Sequence, residues 1–213
     1  GKYLAEGSVG QDKAFEVING MRTVELRVLL KAINTLVLAR ALAAHPAINV
    51  QCSAVEGNEN YTLRERLMYL GLPAPLFTID LDTEMGRRIS RHAFQRFFDC
   101  LEPAFGLQVT LGQVNTVVVC PALTSHSELS DEALRQAGIS LTTIRIAVGD
   151  EDPRGLLAHL MQAAELALEP ECPGFSRHFG QPQAIDALYE STYVDVHRRY
   201  AASRPRMQQM LSP

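Results

Sequence analysis

The sequence predicts an α/β domain: a small mixed or antiparallel sheet covered by helices. Three observations predict it. Apolar residues recur at helical spacing in several segments of ten residues or more. Short runs with strand character, many of them β-branched, lie between those segments. The two kinds of segment alternate along the chain, which is the order of an α/β domain.

Residues 12–44 read as the first helix. Val17, Met21, Val24, Val28, Ile33, Leu36 and Val37 approximate one apolar stripe, with Glu25, Arg27 and Lys31 among the polar positions. Gly20 is a weak point where this could be two helices, and His45-Pro46 ends it, because the residue before proline avoids the helical region. A strand is expected over 49–55, leading to a Gly57-Asn58 turn. A short helix follows over 62–70, with Thr62 as N-cap and Gly71 past its end. A strand over 76–81 precedes an amphipathic helix over 84–101, with Ile89, Ala93, Phe97 and Leu101 on one face and Arg87, Arg88 and Arg91 as a solvated edge. Strands are expected over 107–111 and 116–120, separated at Gly112. Ser130 should cap a helix over 131–137 that Gly138 ends. The run 141–148 reads as a strand, and Asp152 with Pro153 opens a helix reaching about 168. Pro170, Pro173, Gly174 and Gly180 make a linker, and 183–202 reads as a helical tail that packs on the domain or on a partner chain.

Bulk properties narrow the functional classes. The 213 residues suit one domain with an appendage, and 46 % apolar with 21 % charged residues is an ordinary globular composition. A chain of this length buries roughly 70 % of the surface its unfolded form exposes. The net charge of −4 disfavours nucleic-acid or anionic-membrane binding. No apolar run approaches the ~20 residues a bilayer requires, and Lys2-Tyr3 opens no secretory signal. Cys52, Cys100, Cys120 and Cys172 form no CxxC pair, so no metal site is expected; they read as free buried thiols in a reducing cytosol.

Four blocks then carry a resemblance. CPALTSHSEL at 120–129 is similar to the signature HPAS-T-THS-x-L. AGIS at 137–140 followed by IRIAVGDE at 144–151 resembles an AGI–IRLSVGIE block. TLGQVNT at 110–116 is similar to an SLGGVES loop, and NGMRTVELR at 19–27 to an RGLKTLxLR helix. Together, in this order, they resemble the cystathionine γ-synthase type of Cys/Met-metabolism enzymes that use pyridoxal phosphate (PLP). That family includes O-acetylhomoserine sulfhydrylases, cystathionine lyases and methionine γ-lyases. The resemblance covers about 12–168 and implies the C-terminal domain of a fold-type I PLP enzyme. On it, 1–11 reads as a remnant of the lysine-bearing segment or a linker, 12–169 as the domain, and 170–213 as linker and tail.

The resemblance implies roles for particular residues. PLP chemistry needs a lysine to hold the cofactor, an acid on its ring nitrogen, a phosphate cradle and a cation for the substrate carboxylate. A planar arginine fork suits the carboxylate best. A strand arginine taken alone reads as a surface ion pair; within the matched block, Arg145 reads as the carboxylate clamp. Thr110 matches the family serine beside the cofactor lysine and substrate carboxylate, although a β-branched strand residue is an equal reading. Val109, apolar where cystathionine-handling members often carry an acid, leans toward a smaller or apolar thiol-bearing substrate. Asn115 and Cys120 depart from the family's acid and histidine. His126 matches the THS histidine and reads as scaffold.

KYLAEGS at 2–8 is similar to the family's TKYLxGHS segment, which would make Lys2 the catalytic and cofactor-holding lysine, with Glu6-Gly7 in place of the signature's GH. The ring-stacking aromatic, the aspartate on the ring nitrogen and the phosphate loop find no match in the chain. Two functions follow from the resemblance. One is the substrate-facing domain of a carbon–sulfur lyase or transferase acting on an amino acid, working as a homo-oligomer or with a partner chain that carries the PLP-binding domain. The other is a non-catalytic dimerisation or scaffold module.

Overall fold

A computed structural model of the protein describes residues 10–81 and 89–204. Six α-helices and a five-stranded sheet make up the described residues. Helix α1, Gln11–Ala43, runs as one 33-residue helix, roughly 50 Å long at 1.5 Å per residue. Gly20 does not break it; its carbonyl accepts a hydrogen bond from Arg27 Nη2 at 2.8 Å. From Leu29 onward the helix is enclosed on every side, with every residue from Lys31 to Ala39 buried. Its first half differs from expectation. Val17, Met21, Val24 and Val28, the predicted core stripe, are exposed, as are Phe15, Ile18 and Leu26. The same periodicity that signals a core face here marks a flank that no described residue covers. Lys31, expected among the polar surface positions, is instead buried at 6 % exposure.

The strands are β1 Asn49–Gln51, β2 Leu76–Asp80, β3 Gly106–Leu107, β4 Val117–Val119 and β5 Ile144–Ala147, in spatial order β1-β2-β5-β4-β3. All neighbours are antiparallel except β3 and β4, so the sheet is mixed. Alternation sorts the side chains by face. Val50, Phe77, Ile79, Val118, Ile144 and Ile146 join the main core with α1 and with α5, Pro153–Ala167. On the opposite face the register aligns Thr78, Arg145 and Val119 side by side.

Several elements are shorter than the sequence predicts, for polar reasons. The 107–111 strand ends at Leu107, and a loop follows in which Gly112 takes φ +77°. The 141–148 strand begins only at Ile144. Before it, Ser140 N donates to Thr143 Oγ1 (2.8 Å), and Thr142 donates to Asp80 Oδ1 (2.6 Å), so a polar turn replaces the ladder. The strand expected over 49–55 ends at Gln51. Helix α3 is Arg91–Asp99; of its predicted start, 84–88 lie outside the described residues, and Ile89 and Ser90 are not helical. Ser90 caps it, accepting from Ala93 N at 3.1 Å. Helix α4, Asp131–Gln136, falls where Ser130 and Gly138 placed it, whereas α2, Tyr61–Leu67, begins before the expected cap Thr62, with Asn60 at the N-cap position, and stops short of residue 70 because Met68 is extended and Leu70 takes φ 53°. Asp152 caps α5 through Arg154 N (2.9 Å).

The tail forms α6, Pro182–Ser203, which packs along α1. Glu169 shapes the linker by accepting from Gly174 N (2.5 Å) and Ser176 N (2.9 Å), and these bonds hold its carboxyl below the usual range. His45 locks the linker to the end of α1. Its Nδ1 accepts from Ala47 N (3.1 Å), so Nε2 carries the proton and donates to Phe175 O (2.9 Å); Phe175, Phe179 and His178 surround the ring. This bonding requires neutral imidazole. Burial lowers the His45 pKa below 6.5; the Phe175 bond opposes that shift and the neighbouring His178 reinforces it. The folded protein therefore binds fewer protons than the unfolded one as pH falls through 6.5. Stability from this group is fully present above that pH and declines below it. Urea midpoints should drop between pH 7.5 and 5.5, and His45→Gln should flatten that slope.

Candidate functional site

Arg145 projects from β5 on the sheet face away from the main core. Its Nη2 donates to Val109 O at 2.7 Å, so the guanidinium lies against the loop that carries Val109 and Thr110. Both of those residues are exposed. Among the described residues no carboxylate lies within ion-pair distance of Arg145, and its buried Nε has no hydrogen-bond partner. A guanidinium with spare donors, half-buried and unpaired with an acid, is poised to receive one. The structure thus sets Arg145 against the Val109 carbonyl, with Thr110 the next residue of the same loop. Lys2 lies outside the described residues.

A polar knot behind this loop holds it in place. Thr116 N donates to both oxygens of Glu151 (2.7 and 2.9 Å), and Thr116 Oγ1 donates to Glu151 Oε2 (2.8 Å). Thr116 Oγ1 in turn accepts from Gly149 N at 2.9 Å. Asn34 Nδ2, from α1, donates to Gly149 O (3.1 Å) and Glu151 O (2.9 Å). Lys31 Nζ donates to Gln113 O and, at 3.5 Å, to Val148 O, and pairs with Asp150 at 3.4 Å. The loop after β3 and the turn after β5 are thereby fastened to one helix. Lys31, Asn34 and Glu151 were not singled out from the sequence. The available signal was a set of polar residues, Lys31, Asn34 and Thr35, inside an otherwise apolar helical stretch.

The remaining sequence candidates are quiet. His126 shares a 2.8 Å hydrogen bond with Ser125, in keeping with scaffold. Cys120 is fully buried, which pushes its thiol pKa up and removes it as a nucleophile. Cys52 and Cys172 are buried too, while Cys100 is only partly so. Among the described residues no cluster of His, Cys, Asp and Glu is placed to hold a metal, and no helix is long and apolar enough to cross a membrane.

The described residues fit the substrate side of a PLP site better than the cofactor side. Lys31 is committed to two carbonyls and Asp150, and Lys13 pairs with Glu16 at 2.8 Å on the outer part of α1. Lys31 is therefore not free to hold a cofactor, whereas the pair made by Lys13 is an exposed surface one that leaves its amine accessible. Among the described residues no acid beside a ring site and no glycine-rich phosphate cradle accompanies Arg145.

Comparison with known proteins bears directly on this site. A family profile described as Cys/Met metabolism PLP-dependent enzyme matches residues 4–165. The chain is 28 % identical over 162 residues to homocysteine synthase of Schizosaccharomyces pombe, covering 76 % of this chain and 36 % of that one. It is 32 % identical over 163 residues to L-methionine gamma-lyase of Pseudomonas deceptionensis, covering 76 % and 39 %. Among solved structures, a Campylobacter jejuni protein containing N'-pyridoxyl-lysine-5'-monophosphate superposes with a TM-score of 0.63 at 28 % identity, covering 74 % of this chain and 36 % of that one. Cystathionine gamma synthase of Xanthomonas oryzae, solved with cystathionine, gives 0.60 at 26 % identity, covering 73 % and 38 %. The chain spans less than two fifths of the length of each of these relatives.

Proposed function

The chain belongs to the Cys/Met metabolism PLP-dependent enzymes, and from that premise we propose that it forms the substrate-facing C-terminal part of a carbon–sulfur lyase or transferase. The substrate is a sulfur amino acid or an activated homoserine, processed by β- or γ-elimination or replacement in the cytosol. The single observation that supports this most is Arg145: a guanidinium without an acid partner among the described residues, held against the Val109–Thr110 loop. In this reading Arg145 binds the substrate carboxylate, Thr110 offers a hydroxyl beside it, and Val109 lines the pocket. The bound cofactor supplies the electron sink. Of the chain's three lysines, Lys31 is buried in its own bonds and Lys13 lies on an exposed part of α1, while Lys2 stands in the segment similar to the family's lysine-bearing one, which supports Lys2 as the lysine that holds it.

The exposed apolar flank of α1 supports docking to a further surface, either a second copy or a chain carrying the PLP-binding domain. A non-catalytic dimerising or scaffolding module would use the same flank, and one experiment separates the two. The chain is mixed with the PLP-binding segment of a relative and with PLP, and 2-oxoacid release from methionine, cysteine and O-acetylhomoserine is assayed. Borohydride reduction followed by peptide mapping locates the trapped cofactor. Release of pyruvate or 2-oxobutyrate with label on Lys2 is expected. No product from any substrate, with label spread equally over Lys2 and Lys13, would overturn the enzymatic reading.

A further inference from the structure

A second cluster of arginines lies away from Arg145, where the tail meets the domain. We propose that the cleft between α1, α2 and α6 binds a small phosphate-bearing anion, either the free ion or the phosphate group of a metabolite. The cleft measures about 270 Å³ and is lined by Arg40, Arg64, Arg199, Asp195, Ser191 and Thr192. Three guanidiniums and one carboxylate, Asp195, line the cleft, and a second carboxylate, Glu65, pairs with Arg64 from outside it, so the cluster keeps a formal charge of +1, which favours an anion.

The arginines are not all explained by folding. Arg64 is 4 % exposed and stitched to Ser53 O (2.9 Å), Gly71 O and, outside the cleft, Glu65 (3.2 Å). Arg199 pairs with Asp195 at 2.8 Å. Arg40 has only one weak internal bond, Nε to Ala54 O at 3.4 Å, and no carboxylate partner among the described residues. Thr192 is 4 % exposed, lines the cleft, and its buried Oγ1 has no hydrogen-bond partner. A buried hydroxyl left unpaired is costly, and an anion drawn in by the arginine forks would offer it an acceptor. Three of the lining residues, Thr192, Asp195 and Arg199, come from α6. That helix lies outside the residues matched to the family, and Arg145, Val109 and Thr110 are not among the lining residues of this cleft.

The test uses the purified chain and two probes, inorganic phosphate and O-phospho-L-serine, each against chloride at matched ionic strength. Binding is followed by calorimetry and by the thermal unfolding midpoint. Phosphate should raise the midpoint in a saturable way. Phosphoserine binding at least tenfold tighter than phosphate identifies an ester as the occupant; equal or weaker binding identifies the free ion. Arg40→Gln should weaken binding about tenfold or more, the loss expected for a charge-assisted contact. Thr192→Val should weaken it severalfold while leaving the unliganded midpoint equal or higher, because it removes an unpaired hydroxyl. Arg154→Gln, a surface arginine paired with Asp152 and Asp186, should bind as the wild type does. Should Arg40→Gln fail to fold, Thr192→Val decides. A phosphate response no larger than that of chloride, or wild-type affinity in the Thr192→Val protein, overturns the proposal.

Discussion

Changing Arg145 to alanine is expected to lower kcat/KM for the amino-acid substrate by about a hundredfold or more in the complex completed by a PLP-binding partner. Two charge-assisted hydrogen bonds to a carboxylate contribute roughly 1.5–3 kcal/mol each, and each 1.4 kcal/mol corresponds to a tenfold change. Folding should change by less than about 1 kcal/mol, because the side chain makes one internal hydrogen bond, to Val109 O, and that carbonyl can be hydrated once the arginine is gone. Arg145→Lys keeps the charge but loses the planar fork, so it should recover only part of the activity.

The decisive comparison is with a substrate amide. If Arg145 reads the carboxylate, the wild type should discriminate strongly between acid and amide, and the alanine variant should treat both alike. That coupling is a double-mutant cycle between one protein group and one substrate group, and it isolates their interaction from general damage. Undiminished discrimination in the variant would remove Arg145 from the carboxylate site.

How far the sequence foretold this arrangement depends on what each prediction rested on. The sheet was legible because β-branched residues such as Val117, Val118, Val119, Ile144 and Ile146 suit a strand buried on either face. Their ends were not, because Ser140, Thr142 and Thr143 hydrogen-bond locally and to Asp80, and no alternation of apolar residues records that. The first helix shows the opposite failure. Val17, Met21, Val24 and Val28 have the correct period for a core face, yet burial depends on what packs there, which a periodicity cannot contain. Arg145 and Thr110 were legible only through the blocks they sit in. The contact of Arg145 with the Val109 carbonyl arises because β3 pairs with β4 and β4 with β5, which brings together residues 36 apart in sequence. Lys31 and Asn34 went unread because a buried lysine on a helix is rare unless its partners are known. Those partners, the 113–116 loop and the 148–151 turn, are far away in sequence.

That same fastening makes Gly149→Ala the substitution with the largest expected cost in stability. A methyl group at Gly149 would overlap Val114 O, Asn115 C and the Glu151 carboxylate. Two of these are backbone atoms that cannot swing aside, so the 113–116 loop must move. The move would break the Thr116–Glu151 and Gly149–Thr116 hydrogen bonds together. Overpacking alone costs about 1–3 kcal/mol and the half-buried Glu151 carboxylate loses its donors as well, so a loss of about 3 kcal/mol or more is expected in urea unfolding. Gly155→Ala is the matched control. It sits in α5 with nothing within 4 Å of the added carbon, and should stabilise by up to about 1 kcal/mol by restricting the unfolded chain. The two substitutions add the same atom to the same residue type six positions apart, so only the surroundings differ. Because the displaced loop also carries the carbonyl that faces Arg145, Gly149→Ala should depress activity in the completed complex even at temperatures where the variant remains folded. Equal urea midpoints for the two variants would mean that the loop is not held by this knot, and the positioning of Arg145 would then need another source.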